Sequence, residues 1–189
     1  KWLIVILIPL FSITMATQLK DLKFEGSYRI WFDKDSKIIK DYDNFRAVFG
    51  NDEAITVTFK NEKGIFNKET LAVIDRITEK FWQTQYIARV DSITNYQYVH
   101  SNAEEPDDVI VENFIEDIDS MTKKDLILKQ KQILAEDAMV NKLISPDAKT
   151  TTIVARLTPN AAEDAQKSLL LKKLTLEILQ PEVENYNYE

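Results

Sequence analysis

The chain has no cysteine, one histidine, three glycines and five prolines in 189 residues. Without cysteine it can form no disulfide, thiol nucleophile, cysteine-ligated zinc or iron–sulfur site. The same absence leaves the redox compartment open. Three glycines are too few for a phosphate-cradling loop. The lone His100 has no partner set for a nucleophilic triad or a histidine-rich metal site and reads as a solvent-side residue after a strand. The net charge of −7 argues against the basic face of a nucleic-acid binder and against docking of the bulk of the chain on anionic lipid head groups. "DKDSKIIKDYDN" has the look of a calcium loop, but Lys37 and Ile38 stand where an oxygen ligand and a glycine are required. Ser92 and Ser145 sit in no nucleophile elbow. Nothing singles out a working pair among the 31 acids. We therefore expect no catalytic residue, no cofactor and no metal ligand. The expected role is binding, conduction or scaffolding, not enzymatic.

Hydrophobic residues make up 44% and charged residues 29%, a balance that supports a packed core. The longest apolar stretch opens the chain. From Trp2 to Leu19 there is no charge over 18 residues, which as a helix is about 27 Å, close to a bilayer core of about 30 Å. Three readings are open. The run is a first transmembrane helix with Trp2 as an interfacial anchor, a signal peptide cleaved near Ala16, or a buried helix of a soluble domain. The chain begins with lysine, and "ENYNYE" at its end reads like the start of a strand, so truncation at both ends is expected.

The rest alternates strand and helix signals. Tyr28, Ile30 and Phe32 in "LKFEGSYRIWF" fall on one side of a short strand or extended approach. Ser36 can cap a helix carrying Ile38, Ile39, Tyr42, Phe45, Val48 and Phe49, and Gly50 stands where the left-handed stop residue belongs. Ala54 to Phe59 is β-branched and alternating. Asn67 caps a helix with the stripe Leu71, Ile74, Ile77 and Phe81, and "ARVDSITNYQYVHS" is a second strand region, which makes a β-α-β unit. The segment "NAEEPDDVIVENFIEDIDS" has eight acids and no base; it reads as a solvated connection with a strand inside "DVIVENF". Thr122-x-x-Asp125 predicts a capping box. "MVNKLISPDAKTTTIVARLT" reads as a hairpin turning at Ser145–Lys149, with Thr151 to Leu157 as the return strand. Thr158-Pro159 predicts a helix start, the helix running to about Gln180 before Pro181. "SLLLKKLTLEIL" within it is more apolar than one buried stripe demands, which suggests contact with neighbouring protein or with hydrophobic cargo. The order predicts an α+β fold of ferredoxin-like type, an antiparallel or mixed sheet with helices on one face.

One run carries a family likeness. "SYRIWFDKDSKIIKDYDNFRAVFGNDEAITVTF" contains YR-x-x-F, then D-x-D-S before a short helix, then F-x-x-x-FG-N-D-E and a β-branched strand. It resembles the start of the first extracytoplasmic domain of RND-superfamily exporters, nearest to the predicted exporters related to the MMPL and hopanoid-transporter proteins. "GIFNKETLAVIDRITEKFW", "ARVDSITN", "TKKDLILKQKQIL" and "LISPDAKTTTIVARL" follow in the family's order, so the likeness covers nearly the whole chain. The resemblance implies that residues 1–19 are the first membrane helix and 20–189 a periplasmic porter domain of ferredoxin-like subdomains. It implies a bacterial inner membrane location, a second porter domain in the same full protein, export of lipids or hydrophobic small molecules driven by the proton-motive force, and scope for homo-oligomers. Proton-relay acids in the family lie in later membrane helices, so none is assigned to this chain. Phe81, Trp82 and Tyr86 are the candidate residues for lining a substrate path. The alternative is a secreted or membrane-anchored α+β domain that binds a ligand or protein without transport.

Overall fold

The structure is a computed structural model that describes residues 2–18, 28–33, 35–50, 53–101, 107–159, 161–162 and 164–186. It divides into two compact units, Lys1–Asp43 and Asn44–Glu189, with the boundary inside a helix.

The first unit holds helix α1, Trp2–Gln18, with Pro9 inside it, and a short 3-10 turn at Tyr28–Trp31. Ile6, Leu7, Ile8, Leu10 and Phe11 of α1 are all exposed. Its 17 residues extend about 26 Å, and among the described residues no helix is long and apolar enough to cross a membrane. Leu19, the end of the uncharged run, lies outside the described residues. Of residues 22–32, expected as a short strand or an extended approach, 28–32 are described, and Tyr28–Trp31 form a 3-10 turn. No strand pairs with it there, and both guanidinium Nη groups of Arg29 bond the Asp43 carboxylate instead. Helix α2, Lys37–Phe49, starts as expected: the Ser36 hydroxyl accepts from the Ile39 amide at 3.4 Å.

Gly50 ends α2. Its φ is +89°, and its N–H donates to the Arg46 carbonyl at 2.9 Å. This is the left-handed stop in which glycine escapes the steric cost of a Cβ. The chain then enters β1, Ala54–Lys60.

The second unit is α+β. After β1 come α3, Lys68–Trp82, and β2, Ile87–Asp91. Next are β3, Gln97–Ser101, β4, Val109–Asn113, and α4, Lys123–Leu134. Last are β5, Thr150–Leu157, and α5, Ala165–Asn185. The three-stranded sheet runs β1-β5-β2, with β5 antiparallel to both neighbours. β1 and β2 are therefore parallel, joined through α3 and split by β5. β3 and β4 form a separate antiparallel pair.

The strand alternation sets which face is covered. Thr151, Ile153, Ala155 and Leu157 of β5 are buried, while Arg156 is exposed and Thr152 and Val154 are half-covered. On the covered side, the whole α3 stripe of Leu71, Ile74, Ile77 and Phe81 is fully buried, together with Val90, Ile153 and Ala155. Burying one such aliphatic or aromatic side chain contributes roughly 1.5–3 kcal/mol.

Five further expectations shift. "ARVDSITNYQYVHS" is two strands rather than one, because Ser92, Ile93 and Thr94 are buried in a tight turn. The first hairpin arm is not a strand: residues 139–144 form turns, with Asn141 at φ 63° and only isolated bridges from Ile144. α5 starts at Ala165, because the Asp164 carboxylate caps the Gln166 and Lys167 amides and outcompetes the signal at Pro159. It also runs through Pro181 to Asn185. A helix-interior proline costs about 3 kcal/mol, and here tertiary contacts just beyond it hold the last turn. Glu182 bonds α3, and the Tyr186 hydroxyl meets Asn61 at 2.8 Å and Thr70 at 2.6 Å. Glu184 and Asn185 of "ENYNYE", expected to open a strand, instead end α5, with Tyr186 as its extended cap, and residues 187–189 lie outside the described ones.

Candidate functional site

The three aromatics singled out in the sequence fall in three environments. Phe81 is fully buried in the core between α3 and the sheet. Trp82, one residue on, is 46% exposed. Tyr86 has φ 68°, and its ring packs against a small second cluster of Leu157, Ala161 and Leu171, with the Lys167 ammonium 5.4 Å from the ring centroid. Successive helix positions put Phe81 on the buried face of α3 and Trp82 at its exposed side, while Tyr86 lies in the other cluster.

That second cluster floors an apolar cleft of about 290 Å³ beside α5. Ile55, Leu157, Leu171 and Leu176 line it, with Lys172 at its edge. Leu169 and Leu176 are both more than half exposed, so the surplus of apolar residues in "SLLLKKLTLEIL" does reach solvent. A cleft of this kind can hold a small apolar group.

A second cleft, of about 450 Å³, lies over the sheet face that the helices leave open. Arg89 of β2 and Arg156 of β5 are register partners there. Each donates its Nε–H to the Asp91 carboxylate, at 2.7 and 3.3 Å. Lys142, Tyr96, Met139 and Leu143 complete the walls. Burial raises the Tyr96 hydroxyl pKa, helped by the nearby Glu136 carboxylate. The cationic wall was missed in the sequence; Arg-x-Asp at alternate positions of β2 was the available signal.

His100 sits 3.5 Å from a Glu112 carboxylate oxygen, on the β3–β4 pair, with the Lys129 ammonium 3.8 Å from the same carboxylate oxygen. It gathers no metal set: among the described residues no three histidines or acids converge. Residues 102–106 of the acidic segment lie outside the described ones; "DVIVENF" contains β4 as expected. The buried hydroxyls of Ser92, Thr94 and Thr78 bond one another and the Ile74 carbonyl, so they serve structure.

No protein-family model matches the chain, and no curated protein matches it.

Proposed function

We propose that the chain is an extracytoplasmic domain of an RND-type exporter, forming part of the path by which lipids or hydrophobic small molecules leave the cell. The observation that carries the reading is the split β1-α3-β2 unit with β5 between its strands, followed by α5. This order is compatible with a ferredoxin-like subdomain in which the β3–β4 pair and α4 are inserted before the third strand; a fourth strand of this sheet is not among the described residues. The apolar cleft beside α5 supplies a surface suited to hydrophobic cargo. The membrane part of the proposal rests on the sequence, on the uncharged run from Trp2 to Leu19. In this scheme the domain binds and guides; proton coupling belongs to membrane helices elsewhere in the full protein, in an alternating-access cycle.

The second reading, a ligand-binding α+β domain without transport, is favoured by the cleft of about 450 Å³ with its cationic wall. A topology test separates the membrane proposal from a cytoplasmic domain. Alkaline phosphatase fused after Asn185 should be active in bacterial cells, and inactivity of that fusion would remove the extracytoplasmic assignment.

A further inference from the structure

We propose that the cleft over the open sheet face binds a small anionic amphiphile: one carboxylate or phosphate head joined to an apolar group. The inference is independent of the export reading, because it concerns equilibrium binding alone.

Charge is the first observation. The chain carries a net −7, yet Arg89, Lys142 and Arg156 face this cleft against a single lining carboxylate, Asp91. Glu136 and Asp137 stand on the turn before it and do not line it. A negative protein that concentrates cations at one concavity attracts anions there.

Geometry is the second. Arg89 and Arg156 lie directly opposite each other across β2 and β5, an arrangement that like charges disfavour. Asp91 offsets the repulsion and does so through the Nε groups only. The Nη nitrogens of both guanidiniums make no hydrogen bond to the described residues. Each guanidinium is engaged at Nε and leaves its Nη pair for a ligand, and a guanidinium fork matches the paired oxygens of a carboxylate or phosphate. Lys142 makes no ion pair among the described residues, so it adds a third donor without first breaking a contact.

The third observation is that both walls are set before any ligand arrives. Under Arg89, the Asn95 amide bonds the Val90 carbonyl at 2.7 Å, and its oxygen accepts from the Ser92 amide at 2.8 Å. Opposite, the Thr151 hydroxyl donates to the Leu143 carbonyl at 2.7 Å and the Thr152 hydroxyl to that of Lys142 at 3.0 Å. Fixed walls lower the ordering cost of binding. Tyr96, Met139 and Leu143 supply apolar contact beside the cations, which inorganic phosphate alone would leave unused. The volume of about 450 Å³ is that of a small-molecule site.

The test is calorimetric titration of the purified full chain with decanoate, decyl phosphate, decanol and inorganic phosphate, each below its aggregation concentration. Saturable binding of decanoate or decyl phosphate is expected, at least about tenfold tighter than decanol or inorganic phosphate. The stronger of the two anions identifies the head group. Lys142→Gln and Arg156→Gln should each weaken that binding about tenfold, the scale of one lost charge-assisted contact. Lys142→Gln breaks no ion pair, so it keeps the test open if Arg156→Gln fails to fold. Absence of binding by both anions, equal binding of decanol, or unchanged affinity in the folded Lys142→Gln chain would each overturn the proposal.

Discussion

Replacing Glu182 by glutamine should unlatch the end of α5 from α3. The Glu182 carboxylate is buried, accepts from Arg76 at 2.7 and 3.3 Å, and accepts from Lys80 at 3.0 Å. The Arg76 hydrogen bond is the main reason its pKa lies below the ordinary carboxylate value, with Lys80 adding to it and burial opposing. Hydrogen bonds to a charged group contribute about 1.5–3 kcal/mol each when well shielded. Here the cations are 53% and 43% exposed, and exposed ion pairs are worth about 0–1 kcal/mol. The expected net loss is therefore about 1–2 kcal/mol, read as a fall of roughly 3–8 °C in Tm for a unit of this size. The sign of the pH dependence follows from the lowered pKa. The stabilisation is present above the unfolded carboxylate value of about 4.5 and is lost as pH falls through the folded value. Thermal melts by circular dichroism at pH 7 and at pH 3 should show a gap between wild type and Glu182→Gln that closes on acidification. A gap of zero at pH 7, or one of equal size at both pH values, would refute the latch.

Gly50→Val should destabilise by about 1–2 kcal/mol, because a β-branched residue resists the left-handed backbone at φ +89°; since no atom lies within 4 Å of the added Cβ, an unchanged denaturation midpoint would refute the stop reading. Thr122→Ala should cost about 1 kcal/mol in urea denaturation by opening the capping box with Asp125. Phe81→Ala should cost about 3–5 kcal/mol, whereas Trp82→Ala should change stability by less than about 1 kcal/mol; equal losses would contradict their different burial. Acid should weaken the fold further through Asp125, Asp147 and Asp164, whose pKa values are lowered by Thr122, Ser145 and the Lys167 amide respectively. Wild-type stability measured by urea titration should drop between about pH 5 and pH 3, and a flat profile there would contradict these contacts.

What could be read from the chain was local. The α3 stripe, the Asn67 and Thr122 caps and the glycine stop each depend on residues within a few positions, and all are present. The misplacements have non-local or competing causes. Ser92, Ile93 and Thr94 look like strand continuation, yet they bury a hydroxyl network that bends the chain. Pro181 looks like a helix end, but Arg76 and Lys80, on the other side of the sequence, hold the turn beyond it. Pro159 looked like a helix start because its ring suits that position, while Asp164 offered two amide acceptor contacts instead. The cationic cleft was hidden for a further reason. Arg89 and Arg156 come together only through strand register across 67 residues, and neither is unusual in its own neighbourhood. Of the path candidates, aromaticity marked Phe81, Trp82 and Tyr86 alike, but helix phase separates the first two and Tyr86 lies in the other cluster.

The central claim, a domain of an exporter for hydrophobic cargo, is tested most directly by the distribution of lipids and hydrophobic compounds between cells and medium. Cells deleted for the gene should retain at least one such compound, the full protein should restore its release, and a protonophore should abolish that restoration. An unchanged distribution in the deletion strain, for every lipid and hydrophobic compound measured, would contradict the account.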